Sequence, residues 1–314
     1  MKTGNVILTI TDLQKTYVKN IPSRQLANSK KFLPLVQDSA LAVEFAYLVG
    51  KVMGDGHLDS NFSLCFVGKK NEIMSLKEHI SNRVWVPEGR FFIKRRKGMG
   101  ISYRLSVNDC LLGRLLFLLG APQGNKTKQA FLVPSWIVGN MSTKKAFLQA
   151  LLEDELTTIK ISKCNYSVKP RLKMSKKQHL AYNLAEFLLQ VKQAIESFGV
   201  KCSNISKPIP KKETGSVQIY LDINREKQNI ITFSNEIGFR IYEEKITCLK
   251  NCVDVLEKTK FNRKPEVNES RIIYLRTQGL TIRQISDKTK VNKTTVHRVL
   301  KKYDPFPFNL RDRI

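Results

Sequence analysis

From Phe45 to Met53 the chain is apolar almost all round, interrupted by Gly50 and Lys51. That pattern predicts a helix covered on every side rather than one lying on a surface. Small residues recur at every fourth position, Ala42, Ala46, Gly50 and Gly54, and side chains four apart share one helix face. Such a ridge lets a partner backbone come very close. Gly56 predicts a left-handed stop at the helix end. Asp55 is then left beside the negative end of the helix dipole, where a carboxylate is disfavoured by roughly 0.3–1 kcal/mol. An acid there calls for a cation.

The pattern returns at an offset of 100 residues, in Ala146-Phe147-Leu148-Gln149-Ala150-Leu151-Leu152-Glu153-Asp154-Glu155-Leu156, with Ser142, Ala146 and Ala150 as the small ridge. Ala46 aligns with Ala146, Gly50 with Ala150 and Asp55 with Glu155. Two helices with small faces suggest a pair, and packing them through Ala46, Gly50, Ala146 and Ala150 sets the two terminal acids side by side. Carboxylates held that close repel unless they share a proton or hold a metal.

After each of these helices the period changes. Asn61–Val67, Arg90–Lys94 and Ile101–Val107 alternate as half-buried strands do, with a helix over about 71–84 between the first two and another near 109–119. Lys94, Arg95, Arg96, Lys97 and Arg104 make the exposed side basic, as a sheet lying along phosphates requires. The second copy predicts strands at Ile159–Ser162, Val168–Lys173 (with Arg171), Ile205–Ile209 and Ser216–Leu221, a helix over about 177–198 and a closing helix over about 241–258.

Residues 1–38 read as an extended basic arm with one short helix at most, and 259–268 as a polar linker. Beyond it, 269–314 predicts three helices. Thr281 and Gln284 form a capping-box pair opening the second, and Asn292 caps the third. Val296, Val299 and Leu300 face inward with Ile285, while Lys293, Thr294, Thr295, His297, Arg298 and Lys301 face out.

Composition sharpens the partner. Lys and Arg number 54 against 27 acids, a net +27 over 314 residues, a field that a polyanion such as DNA or RNA would neutralise. No apolar run approaches the roughly 20 residues of a membrane span, and no signal peptide is legible. The six cysteines are scattered with no CxxC or Cys/His cluster, which argues for an intracellular, reduced protein located with the genomic DNA and without structural zinc. His79, His179 and His297 read as surface groups.

Leu48-Val49-Gly50-Lys51-Val52-Met53-Gly54-Asp55-Gly56 resembles the LAGLIDADG motif in its variant ending Gly-Asp-Gly, and Leu148–Leu156 a diverged second copy, with Ala150 for the first glycine and Leu156 for the last. Lys126-Thr127-Lys128, Val133–Ile137 and Glu236–Phe239 extend the likeness to the LAGLIDADG homing endonucleases over about residues 40–257. The resemblance implies an α+β protein of two pseudo-symmetric αββαββα halves, 39–138 and 139–258. Their sheets would form a saddle over double-stranded DNA, in a monomer with an internal pseudo-two-fold. It also implies Mg²⁺ or Mn²⁺ on Asp55 and Glu155, with Gly54 and Asp154 as further oxygen donors. Glu153 and Asp154 leave the second acid open by one residue. Lys97, Arg104 and Lys173 are candidates to orient water or neutralise phosphate, and His57 to touch a phosphate. Residues 269–314 resemble a helix-turn-helix domain, with Lys290 where that family often has glycine. A non-cutting transcription regulator and an intron RNA maturase are the alternatives.

Overall fold

The computed structural model describes residues 5–97, 100–159, 170–211, 213–258 and 269–303, Lys97 through its backbone alone. They divide into two units, 1–257 and 258–314. The architecture is mixed α/β.

The N-terminal segment is folded, not an arm. Strand β1 (Val6–Leu8) pairs antiparallel with β2 (Leu35–Val36) around helices α1 (Ile10–Gln14) and α2 (Ser23–Ser29). Leu8, Leu13, Ile21, Phe32 and Leu35 are buried and belong to the core of the first unit. Their spacing follows neither helix nor strand period, so the pattern along the chain hides them. A capping box between Thr9 and Asp12 starts α1.

The first half then runs α3 (Ala40–Met53), β3 (His57–Leu58), β4 (Leu64–Gly68), α4 (Lys70–Val84), β5 (Phe91–Lys97), β6 (Ile101–Val107) and α5 (Cys110–Leu118). A single turn, α6 (Ser135–Val138), leads into the second half: α7 (Met141–Glu155), β7 (Arg171–Lys177), α8 (Ala181–Glu196), β8 (Ile209–Lys211), β9 (Ser216–Asp222), α9 (Lys227–Glu236) and α10 (Glu243–Lys258). The antiparallel sheets are ordered β3-β4-β6-β5 and β7-β9-β8. The strand expected at 159–162 and the start of the next one fall mostly outside the described residues. α9 carries no strong apolar stripe and is not legible in the pattern.

Helices α3 and α7 pack through their small faces. Ala42, Ala46, Ala146 and Ala150 are buried. A β-carbon at Gly50 would lie 2.6 Å from the Phe147 carbonyl oxygen and 2.8 Å from Ala150 Cβ, and one at Gly54 would lie 2.8 Å from Asp154 Cβ. Gly50 is therefore a glycine because the α7 backbone and Ala150 occupy the place of its side chain, and Gly54 because the Asp154 side chain does. Gly56 is required for the same reason and is not a left-handed stop: a β-carbon there would meet the Lys51 carbonyl at 2.6 Å and the Phe66 ring at 2.7 Å. Its counterpart Leu156 leaves α7 with extended backbone (φ −78°, ψ 130°) and bridges to Leu172, so no glycine is needed there. Caps fix the other ends, Ser39 accepting from the Ala42 N–H at 3.1 Å and Asn140 from the Ser142 N–H at 2.8 Å.

The second unit consists of α11 (Glu269–Thr277), α12 (Ile282–Thr289) and α13 (Lys293–Tyr303) around Ile272, Ile285, Val291, Val296, Val299 and Leu300. Thr281 and Gln284 form the capping box and Asn292 accepts from the Thr294 N–H at 2.9 Å. Lys290 takes the left-handed conformation (φ +57°) between α12 and α13, where glycine would be unstrained. Lys293, Thr294, His297, Arg298 and Lys301 are exposed and Thr295 half-buried.

Overpacking a close backbone contact costs about 1–3 kcal/mol or more. Gly50→Val is expected to lose at least that in urea unfolding, while Gly89→Ala, whose β-carbon would meet nothing within 4 Å, stays near wild type.

Candidate active site

The three consecutive acids ending α7 point to different surroundings, as residues about 100° apart on a helix must. Glu153 is buried and faces α3 and the chain before α10. It accepts from the Tyr47 hydroxyl at 2.5 Å, from the Ile241 N–H at 2.7 Å and from the Arg240 N–H. Asp154 accepts from Lys51 Nζ at 2.7 Å and from the Asp55 N–H at 3.2 Å. Glu155 lines an open cleft with Asp55.

Lys51 is wholly buried, 3.1 Å from Glu153 and 3.7 Å from the centre of the Tyr242 ring. Burial favours its neutral form, but Asp154, Tyr47 and Glu153 outweigh it and hold the ammonium charged. Burial likewise works against ionised Glu153, yet Lys51 and the donated hydrogen bonds keep its carboxyl below the usual range. Asp154, expected among the metal donors, is instead the second acid of this enclosed ion cluster: its side chain is 3% exposed and paired with Lys51. Burial pushes its carboxyl up against that pull.

The cleft has a volume of about 310 Å³ and is lined by Asp55, Lys126, Glu155, Lys173, Lys176 and Phe131 among others. Asp55 reaches solvent but is walled on most sides, and this partial desolvation raises its carboxyl above the ordinary value against Lys126, Lys51 and Lys245. Glu155 is pushed up to about 8, first by burial and then by the charge of Asp55. The cleft thus holds two hard oxygen donors whose charged forms are disfavoured chiefly by burial. That donor set fits a hard divalent ion that keeps its own waters. Among the described residues no group of three or more His, Cys, Asp or Glu is placed to hold a metal ion, so an ion on these two acids would take its remaining ligands from elsewhere.

Two lysines that the pattern does not single out close the helix ends. Lys126 Nζ donates to the Val52 carbonyl at 3.0 Å and to that of Gly54, so the Gly54 oxygen expected as a metal donor is engaged by an ammonium. Lys245 Nζ does the same for α7, donating to the Leu156 carbonyl at 2.9 Å and to that of Glu153. Cations at helix C-termini oppose the dipole. Burial lowers both lysines from their ordinary values. The one sequence signal for Lys126 is its basic Lys-Thr-Lys run, and Lys245 has none because it reaches its partners across the fold. Lys176 is also buried, donating to the Gln129 carbonyl at 3.0 Å and to Asn183 Oδ1 at 2.6 Å, and burial lowers it to about 8.

Strand register sorts the basic residues by face. Lys94 lies opposite Arg104 and Arg96 opposite Ser102, on the side that also carries His57 and Cys65, away from the core residues Leu64, Phe66 and Leu105. Arg95 alternates to the opposite side, with Tyr103. On the second sheet Lys173 is exposed opposite Tyr220, but Arg171 is taken up by Asp222 in a two-pronged pair at 2.5 and 2.6 Å and stacks on Tyr220. It is a strand-pairing residue here rather than a free cation. The Lys97 side chain lies outside the described residues. His79, expected at the surface, is largely buried 3.1 Å from Glu44 and against Tyr47.

No known family model matches the chain. It is 27% identical over 287 residues to the tRNA-splicing ligase RtcB of Pyrococcus furiosus, covering 86% of this chain and 29% of that protein. It is 27% identical over 265 residues to the DNA-directed RNA polymerase subunit Rpo1N of Methanocaldococcus jannaschii, covering 79% and 19%. A match to the replication factor C small subunit of the same organism covers 53% of this chain and 10% of that protein, at 27% identity. The chain therefore spans less than a third of each of these relatives. Among solved structures it is similar to the homing endonuclease I-WcaI bound to its DNA recognition sequence, with TM-score 0.46, 16% identity and coverage of 76% and 97%. It is also similar to mesophilic variants of the homing endonuclease I-DmoI, with TM-score 0.43, 18% identity and coverage of 68% and 100%.

Removing one member of a buried ion pair costs about 3–5 kcal/mol because the other charge is left alone. Lys51→Met is expected to lose that much in urea unfolding, and adding Glu153→Gln with Asp154→Asn to recover most of it. For Glu155, a folded value of about 8 above the ordinary 4.5 means the folded chain holds the extra proton. The stability this contributes is complete below about pH 4.5 and is lost as pH rises through about 8. Melting curves without divalent ions are expected to show this fall in wild type and not in Glu155→Gln; equal pH slopes would exclude it.

Proposed function

We propose that the chain is a site-specific DNA endonuclease of the homing type, built on two LAGLIDADG halves related by a pseudo-two-fold and cutting both strands. The observation that carries this reading is one cleft where two helices, in close contact at Gly50 and Gly54, each deliver a terminal acid, Asp55 and Glu155, beside lysines. Residues at equal offset meet one another, Gly50 with Ala150 and Gly54 with Asp154, which supports an axis between the helices. The exposed row of Lys94, Arg96 and Arg104, with Lys173 on the second sheet, supplies phosphate contacts for a saddle over duplex DNA.

Asp55 and Glu155 would hold Mg²⁺ or Mn²⁺, which would supply a more acidic water and stabilise charge on the phosphate and the leaving oxygen. Lys126 and Lys173, which line the cleft, would offer positive charge to a bound phosphate and help orient water. Lys51 works indirectly, fixing α3 against α7 so that the acids meet. The second unit supports a further DNA contact as a helix-turn-helix, with Lys293, Thr294, Thr295, His297, Arg298 and Lys301 along α13 presented to the groove. The matched segment recurs in a ligase, a polymerase subunit and a replication factor, taking between a tenth and less than a third of each. A segment shared by proteins with no common task supports reading it as a mobile insertion.

The test is digestion of a randomised duplex library with Mg²⁺ or Ca²⁺ and sequencing of the ends. Defined double-strand ends with Mg²⁺ alone are expected, lost in Asp55→Asn and Glu155→Gln. Lys126→Met is expected to slow cutting by about 100-fold, the scale of losing one charge-stabilising group. Sequence-selective binding without any cut would sink the nuclease reading in favour of a regulator, and preference for intron RNA over duplex would favour a maturase.

A further inference from the structure

A second cavity, of about 380 Å³, shares no lining residue with the acid cleft. It forms where α2 meets the end of α4 and the start of α5. Arg24 and Lys31 enter it from the N-terminal segment and Arg90 from the turn before β5, and Phe32 and Trp85 supply rings. Neither the Arg24 nor the Lys31 side chain has a hydrogen bond or ion pair among the described residues. The one acid in the wall, Asp109, is committed to capping α5, accepting from the Leu112 N–H at 3.0 Å. Nearby Glu88 is paired with Lys77. The wall therefore carries three cations, Arg24, Lys31 and Arg90, the last also donating to the Asn108 carbonyl at 3.4 Å, against the single carboxylate of Asp109.

Trp85 marks the cavity further. It ends α4 in the left-handed region at φ +51°, which bulky residues seldom adopt. Val84 and Val86 on either side are buried at 1% and 4%, whereas the indole is 56% exposed, 6.2 Å from the Phe32 ring and tilted 35° to it. Backbone strain of this kind persists where the surroundings impose it and gathers at ligand clamps. An exposed aromatic ring lining a cavity with Arg24, Lys31 and Arg90 offers a surface for stacking and cations for an anion.

We propose that this cavity binds a nucleotide, with the base on Trp85 and the phosphate among Arg24, Lys31 and Arg90. The volume falls within the range of small-ligand sites, about 300–1,000 Å³. The nucleotide comes either from an unpaired strand or from the free pool, and the chemistry recognised is the same. The site is independent of the nuclease reading, because it uses neither the motif acids nor the basic sheet faces.

The test uses the full chain and its fluorescence, with Trp85→Phe separating Trp85 from Trp136. AMP and a short deoxyadenylate strand are titrated against ribose 5-phosphate and a blunt duplex. Saturable quenching of Trp85 by AMP or the strand is expected, absent in Trp85→Phe and weakened roughly tenfold or more in Arg24→Glu/Lys31→Glu, the scale of losing one stacked and charge-held base. Equal affinity for AMP and strand would assign the free nucleotide, and much tighter strand binding the unpaired strand. The proposal is overturned if neither quenches, if ribose 5-phosphate or duplex competes as well, or if the double variant binds as wild type does.

Discussion

The first unit depends on one close contact, the approach of two helix backbones at Gly50 and Ala150. Because a side chain at Gly50 would overlap the Phe147 carbonyl, the contact between α3 and α7 requires a glycine there, and their C-terminal ends arrive together. That arrangement is electrostatically adverse. Two negative dipole ends and the acids Asp55, Glu153, Asp154 and Glu155 crowd one region. Apolar burial along both helices must hold what charge alone would separate.

Lysines make the crowding tolerable, each in a different way. Lys51 neutralises Glu153 and Asp154 from within the interface. Lys126 and Lys245 take the last carbonyls of α3 and α7. What remains is Asp55 with Glu155, whose carboxyls are raised chiefly by burial and, for Glu155, next by the charge of Asp55. The same balance that stabilises the helix pair leaves one place where a cation is favoured. Structure and chemistry therefore share a cause: an interface tight enough to unite the acids cannot also bury them fully.

The basic surface follows a separate rule. Period-two alternation lets one strand serve core and exterior together, so Leu105 packs inward while Arg104 and Lys94 line the outer face. Net charge alone does not say which cations are free. Arg171 is spent on Asp222, and Arg95 points to the other side of its strand.

The sequence by itself determined the helix pair, its small faces, the two terminal acids, most strands and the three-helix second unit with its caps, because each follows from local periodicity or a cap signal a few residues long. It also paired Asp55 with Glu155 by alignment, while leaving the second acid open by one residue. Only the tertiary structure separated Glu153, Asp154 and Glu155, since successive helix positions face different neighbours and those neighbours come from distant segments. Tertiary structure alone likewise folded residues 5–38 onto the core, gave Gly56 a packing role in place of a turn, and brought Lys126 and Lys245 to the helix ends. A carbonyl or acid satisfied across some 70–90 residues of chain leaves no periodic trace for a reader of the sequence.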